Sequence, residues 1–334
     1  MAHAVVTGAS GLLGANLAAE LIAQGHTVTA TRRPSTDTSS LADLPIKWVC
    51  ANLGSVPELR DVFAGADVIF HCAACVSTRR TITPAMSAVN IGATRAVVEA
   101  AIAAGTPRVV YTSTANTMGP APEGTPADEQ TPWAMDKAGL ASAYAVTKWR
   151  AEILVELACD KLDAVIVNPT YLVGPRDARP SSGRLIVEIA NRRVPYWTPG
   201  YNNFADVYEV ARGMIAAWLH GKRGERYILG GQELTYRDFT ERVARVTGVD
   251  PPRRRLPYPV AWIAGKAGDL LEITGRETTV NSISIRYAFT DRYRFCSDKA
   301  VRELAYVVGP IEPAIRNAVR WFRTRGMIRS GETP

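Results

Sequence analysis

The chain has 334 residues, 47% of them hydrophobic, enough to bury a large core in one or two domains. Lys and Arg number 39 against 32 Asp and Glu, a net charge of +7, but outside Arg253-Arg254-Arg255 and the stretch from Arg316 to Arg329 they are scattered, without the stripe that binds nucleic acid. No apolar run approaches the ~20 residues of a membrane span, and the first strand starts too near Met1 for a signal peptide, so a cytoplasmic protein without membrane insertion is expected.

Residues 3–7 read as an apolar strand running through Gly8, Ser10, Gly11 and Gly14 into an amphipathic helix over 12–24. Gly8 allows a tight bend, Gly11 has no side chain to hold a pyrophosphate away, and Gly14 lets helix and strand pack closely. The first free N–H groups of the helix, around Leu12 and Leu13, then face the phosphates. A second strand over 27–31 ends at Arg32 and Arg33, where a preference for NAD places an acid against the ribose hydroxyls. Two guanidinium groups suit a 2′-phosphate instead, so NADP is expected over NAD. Arg-Arg-Pro-Ser is also ordinary loop chemistry.

A third strand covers 47–51, with Asn52 placed to meet the adenine edge and Leu53 beside it, before a helix over 57–63. Residues 67–74 form a fourth strand that runs out into Ala73 and Ala74, small enough for a backbone passing beneath a cofactor. His71 reads as a packed, hydrogen-bonded residue and not as a catalyst. The lone pair Cys72 and Cys75, in a chain with five cysteines and four histidines, reads as buried small residues in a reducing compartment, with no metal. Val76 follows as a substrate contact. In the helix over 83–104, Asn90 is a polar residue that wants a partner and can brace the active-site loop.

Residues 108–112 give a fifth strand ending in Thr112, Ser113 and Thr114. A long irregular loop over 119–139 covers the site, with Trp133 and Met135 as candidate substrate contacts. A helix over 140–158 and a strand over 164–168 lead to Pro169, Tyr171 and Leu172, expected beside the cofactor, with Tyr171 also a pocket wall. This alternation predicts an α/β fold, a doubly wound parallel Rossmann sheet. Beyond it, residues 176–200 break the pattern around a short helix at 185–192, with Tyr196 and Trp197 as further walls. A helix over 206–219 returns to the sheet. The rest, with a strand at 226–229, helices at 236–247 and 260–274 and an exposed basic helix at 313–325, forms a smaller, mostly helical cap. The expected division is a cofactor domain of 1–175 with 201–222, and a substrate domain of 176–200 with 223–334. The apolar segment 260–273 after three arginines fits a membrane-surface helix or a core helix; Asp269 and Glu272 interrupt it and favour the core.

Tyr144 and Lys148 lie four residues apart, one helical turn on one face. Free tyrosine titrates near ~10, so a phenol that exchanges protons near neutrality needs a nearby positive charge. Lys148 supplies one and can also hold ribose hydroxyls. Thr114, with Ser113 as the alternative, offers a second donor to the substrate oxygen.

These residues resemble the extended short-chain dehydrogenase/reductases, the NAD-dependent epimerase/dehydratase family, over nearly the whole chain. The glycine turn, residues 67–74, Asn90, Tyr144 with Lys148, and residues 168–175 and 204–211 carry the likeness. Val167-Asn168-Pro169, Gly174-Pro175-Arg176-Asp177 and the run from Gly224 to Gly231 are similar to its dihydroflavonol-reductase-like branch and to hopanoid-associated sugar epimerases. The resemblance implies a small C-terminal substrate domain, catalytic Tyr144 and Lys148, a hydroxyl at Thr114 and, in many members, a homodimer. Asn52 stands where the family has an acid. Asp206, Tyr208 and Glu209 stand where many members have a histidine and paired aspartates, and Tyr201-Asn202-Asn203 lacks the arginine that nucleotide-sugar enzymes use on a diphosphate. The expected function is therefore an NADP-dependent carbonyl reductase or alcohol dehydrogenase for a fairly apolar small molecule. The alternatives are a sugar-nucleotide epimerase or dehydratase that keeps its NAD(P), and a non-catalytic NADP-binding regulator.

Overall fold

In the computed structural model, residues 1–276 and 278–329 are described. The apolar runs of the first half become parallel strands, joined by helices that bury one face on the sheet. They run β1 (His3–Thr7), α1 (Leu12–Ala23), β2 (Thr27–Arg32), β3 (Lys47–Cys50), α2 (Val56–Phe63) and β4 (Val68–His71). Then come α3 (Pro84–Ser87), α4 (Ala93–Ala104), β5 (Val109–Thr112), α5 (Ala143–Ala158) and β6 (Ala164–Pro169). After β7 (Tyr171–Val173), α6 (Arg184–Ala190), β8 (Tyr196–Trp197) and β9 (Tyr201–Asp206), the chain re-enters this layer as α7 (Val207–His220) and β10 (Arg226–Leu229). It continues through β11 (Gln232–Thr235), α8 (Tyr236–Thr247), β12 (Arg254–Arg255) and α9 (Tyr258–Ile273). The last helices are α10 (Ser282–Phe289), α11 (Asp298–Leu304) and α12 (Glu312–Thr324).

Seven strands form one sheet in the order β10-β6-β5-β4-β1-β2-β3, every pairing parallel, which is the doubly wound Rossmann arrangement read from the sequence. Leu17, Leu21, Phe70 and Met214 pack on one face, and Leu59, Phe63, Val97 and Val155 on the other. The strand order reverses between β1 and β4, and such a reversal opens a crevice at the C-terminal strand ends. The glycine turn after β1 and the segment after β4 meet there.

Several expectations change. The strand at 226–229, assigned to the cap, is the edge strand beside β6. Ala300 and Leu304 of α11, which sequence periodicity did not reveal, also pack into the core of this layer. The helix at 313–325 is not simply an exposed basic helix: Ala314, Ile315, Ala318, Val319 and Phe322 are buried, closing a second core with β7, α6, β9 and α8. The long loop at 119–139 has little regular structure but is packed, with Ala121, Ala127 and Met135 against Tyr293 and Phe295. Helix α9, expected in the core, turns small residues inward and large apolar ones outward. The helix over 83–104 contains a π-turn at Ala88–Gly92, around Asn90.

Candidate active site

The three glycines of the first turn do different work. Gly8 has φ +74°, and a methyl group there would lie 2.6 Å from the Ala73 backbone. A methyl on Gly14 would lie 2.4 Å from the Gly8 carbonyl oxygen, so helix and strand meet through bare backbone. Gly11 is exposed, and its nearest neighbour to such a methyl is 3.4 Å away. It caps α1 with no side-chain acceptor and no acid in the first turn, so the leading N–H groups remain available to an anion. The buried side chains of Leu12 and Leu13 anchor this end in the core, and Ser10 is half-buried beside it. This cradle fits the pyrophosphate of a dinucleotide, with Ala73 and half-buried Ala74 along one edge.

At the end of β2, Arg32 is half-buried and Arg33 exposed, and neither guanidinium is paired with a described residue. Asn52 differs from its expected role: its Oδ1 accepts the Gly54 N–H at 3.0 Å, closing its own turn and leaving Nδ2 as the free polar group. Leu53 packs against the core beneath.

Tyr144 and Lys148 project from the first turns of α5, which Ser142 caps through its hydroxyl on the Ala145 N–H. Thr114 follows β5; its hydroxyl accepts the Asn116 N–H at 3.3 Å, and its side chain lies near enough to the Tyr144 phenol to lower that phenol's pKa. Ser113 Oγ is buried with no hydrogen-bond partner among the described residues, and of the two hydroxyls it is Thr114 that acts on the Tyr144 phenol. The expected electrostatics change here. Burial pushes the phenol up to about 12, with the Thr114 side chain opposing. Lys148 Nζ donates to the Thr112 carbonyl at 2.6 Å and lies 4.3 Å from the centre of the Tyr111 ring. Burial draws that ammonium down to about 7, against the pull of Glu152.

A buried polar frame holds these groups. Asn90, as expected of a bracing residue, donates to the Cys75 carbonyl at 3.1 Å and to Thr147 Oγ1 at 2.9 Å, while its Oδ1 accepts the Cys75 N–H. It ties the segment after β4 to the helix bearing Tyr144 and Lys148. His71 sits between Thr7 and Thr94 hydroxyls at 2.7 and 3.0 Å, and burial lowers its pKa to about 3, so it is a neutral packed residue.

Sequence reasoning missed Glu152 and Arg226. Buried Glu152 accepts from Thr117 Oγ1 at 2.9 Å, Asn168 Nδ2 at 3.0 Å and Arg226 Nη1 at 3.1 Å, and Asn168 also holds the Thr114 carbonyl. A carboxylate on the Tyr144–Lys148 face, four residues after the lysine, was the available signal. Removing it in Glu152→Ala strands Arg226, Thr117 and Asn168, and should cost about 3–5 kcal/mol in urea unfolding. Glu152→Gln, which keeps the acceptor, should recover part of that loss; equal costs would show that the charge alone matters.

The proposed substrate walls separate. Val76 is exposed. Trp133 stacks on Trp149 with centroids 5.0 Å apart, and Met135 is fully buried, so both are committed to packing. The Tyr171 ring packs on Phe204 and its hydroxyl donates to the Ser182 carbonyl at 2.6 Å, which uses it structurally. Leu172 packs into the core, and Pro169 is buried at the end of β6. Trp197 lies between Arg237 and Arg255, and Tyr196 is exposed; among the described residues no contact joins these two to Tyr144. In β9, Asn203 is spent on the Gly231 and Phe295 carbonyls, and Asn202 on the Tyr236 hydroxyl. Asp206 caps α7, and Glu209 accepts the Gly309 N–H.

A glycine turn at the switch point of a parallel sheet, with a Tyr-x-x-x-Lys helix alongside, defines the extended short-chain dehydrogenase/reductase class. Residues 4–230 match the model of the NAD dependent epimerase/dehydratase family, and the chain belongs to that family as one of its enzymes. It is 35% identical over 332 residues, 97% of this chain and 99% of the relative, to sterol demethylase protein B of Methylococcus capsulatus. It is 29% identical over 323 residues, 90% of each chain, to a 4-hydroxy-2-methyl-3-oxo-4-farnesyl-3,4-dihydroquinoline-1-oxide ketoreductase of Stigmatella aurantiaca. The crystal structure of a nucleoside-diphosphate-sugar epimerase from Pseudomonas aeruginosa matches with a TM-score of 0.79 and 27% identity, over 98% of this chain and 99% of that one.

Proposed function

We propose that this enzyme is an NADP-dependent carbonyl reductase or secondary-alcohol dehydrogenase for a fairly apolar small molecule. The observation that carries the reading is that Tyr144 and Lys148 stand one turn apart on α5, with Lys148 Nζ on the carbonyl of Thr112 at the end of β5, two residues before Thr114. Bound NADPH supplies the hydride that reduces the carbonyl carbon. Tyr144 delivers the proton to the carbonyl oxygen, and Thr114 holds that oxygen with a second hydrogen bond. Lys148 holds the cofactor ribose and, while charged, stabilises the phenolate left behind. Arg32 and Arg33 receive the 2′-phosphate, and Gly8, Gly11, Gly14 and the adjoining N–H groups receive the pyrophosphate. The absence of a guanidinium in Tyr201-Asn202-Asn203, and relatives named for sterol and farnesyl-quinoline chemistry, favour an apolar carbonyl over a sugar nucleotide.

The test is loss of NADPH absorbance with a panel of ketones and aldehydes. An epimerase would keep its cofactor through purification and show no net turnover; no turnover with any carbonyl, with NAD co-purifying, refutes the proposal. Removing both guanidinium groups in Arg32→Ser with Arg33→Ser should raise the KM for NADPH about 10- to 100-fold, as expected for lost charge-assisted bonds. The KM for NADH should stay within about twofold, because no 2′-phosphate is present to lose them. An equal change for both cofactors removes these arginines from cofactor choice.

A further inference from the structure

Helix α9 is inside out for a helix on a protein surface. Its inner side carries Ala261, Gly265 and Gly268, and methyl groups added to the two glycines would strike the start of α10 and the Val280 carbonyl. Its acids also turn inward: Asp269 is bonded to the Ser282 N–H and paired with Arg80 at 3.1 Å, and Glu272 accepts from Asn281 Nδ2 at 2.7 Å. The outer side presents Trp262, Ile263, Leu270 and Ile273 at helical spacing, the last three 63%, 66% and 80% exposed. Lys266 stands among them, its ammonium 5.7 Å from the Trp262 ring centre. Arg253, Arg254 and Arg255 lead into the helix and are exposed.

We propose that this outer face, with the arginine run at its head, is a docking surface for an anionic phospholipid bilayer. Large apolar side chains beside Lys and Arg, on a helix that does not span, form the pattern of an element lying in the headgroup region. Among the described residues no helix is long and apolar enough to cross a membrane, so α9 rests on the surface. A second copy of the chain fits this face less well, because it would bury Lys266, whose ammonium lies 3.7 Å from Asp269, and the three exposed arginines at the head of the helix, taking those charges out of water. The face is braced to the candidate site. Asn281 Nδ2 donates to the Thr78 carbonyl at 2.7 Å, and the Arg79 carbonyl accepts the Ala143 N–H, the residue before Tyr144. Docking would thus bring the segment after β4, and exposed Val76, toward the lipid.

Flotation of the full chain with phosphatidylcholine vesicles, with and without phosphatidylglycerol, tests the proposal independently of any activity. The chain should float with the anionic vesicles at least about tenfold more than with neutral ones, and high salt should weaken this. Trp262→Ser with Ile263→Ser and Leu270→Ser should reduce binding at least about tenfold, as should Arg253→Gln with Arg254→Gln and Arg255→Gln. These side chains are exposed, so circular dichroism melting should be unchanged; the arginine set alone decides the matter if the serine set melts early. No flotation of the unaltered chain, equal flotation with neutral vesicles, or undiminished binding of the arginine variant overturns the proposal. So does a dimer in sedimentation that the serine variant dissolves, because the face is then a contact between copies.

Discussion

Tyr144→Phe should lower kcat for carbonyl reduction by about 10²- to 10⁴-fold, the range for losing a positioned general acid. NADPH affinity, read by fluorescence titration, should stay within about twofold, because the substitution keeps the ring and removes only the atom that meets the substrate oxygen. The environment sets the pH behaviour. Burial holds the phenol at about 12, so Tyr144 is protonated throughout the working range and is always ready to donate in reduction. Alcohol oxidation needs the phenolate, which is scarce at neutrality, so its rate should rise with pH from neutrality upward, by less than about tenfold per unit because Lys148 loses its charge over the same range. Reduction should instead decline once Lys148, held at about 7 by burial, loses its charge as pH rises and ceases to stabilise the phenolate formed. Unimpaired turnover in Tyr144→Phe, or an oxidation rate indifferent to pH, would remove Tyr144 from the chemistry.

What was legible in the sequence was whatever depends on neighbours along the chain. The glycine spacing gave the turn, the Tyr144–Lys148 spacing gave a shared helical face, and apolar runs gave the parallel sheet. Contacts between distant segments were not legible. Glu152 and Arg226 are 74 residues apart, and nothing local distinguishes their pairing from two solvated charges. Tyr201-Asn202-Asn203 was read only for its missing arginine, and the buried strand there went unread, because the partners of Asn202 and Asn203 at Tyr236, Gly231 and Phe295 lie elsewhere in the chain. An aromatic residue in a loop also does not reveal what its ring faces. Trp133 was as good a pocket wall as any until Trp149 took its face, and Tyr171 until Phe204 and Ser182 did. In α9 the count of acids was right and their direction was not, since Asp269 and Glu272 point into the protein.

Gly14→Ala and Gly11→Ala should fail in opposite ways. The Gly14 methyl would sit 2.4 Å from the Gly8 carbonyl oxygen and 2.9 Å from the Ala9 Cα, both backbone atoms that no rotamer change can move. Helix α1 must therefore shift off β1, an overpacking that should cost about 3 kcal/mol or more in urea unfolding. NADPH binding should go with it, since the phosphate-facing turn shifts along with the helix. At Gly11 the backbone is extended, with φ −87° and ψ 166°, which alanine adopts freely, and the methyl would meet nothing closer than 3.4 Å. Stability should fall by only about 1 kcal/mol, the cost of alanine at an N-cap. The methyl would nevertheless stand over the exposed turn where a pyrophosphate has to approach the free N–H groups, so NADPH affinity should drop about 100-fold or more. A folded Gly11→Ala protein that binds NADPH as tightly as the unaltered chain would mean that the pyrophosphate does not cross this turn, and the cofactor assignment built on it would be wrong.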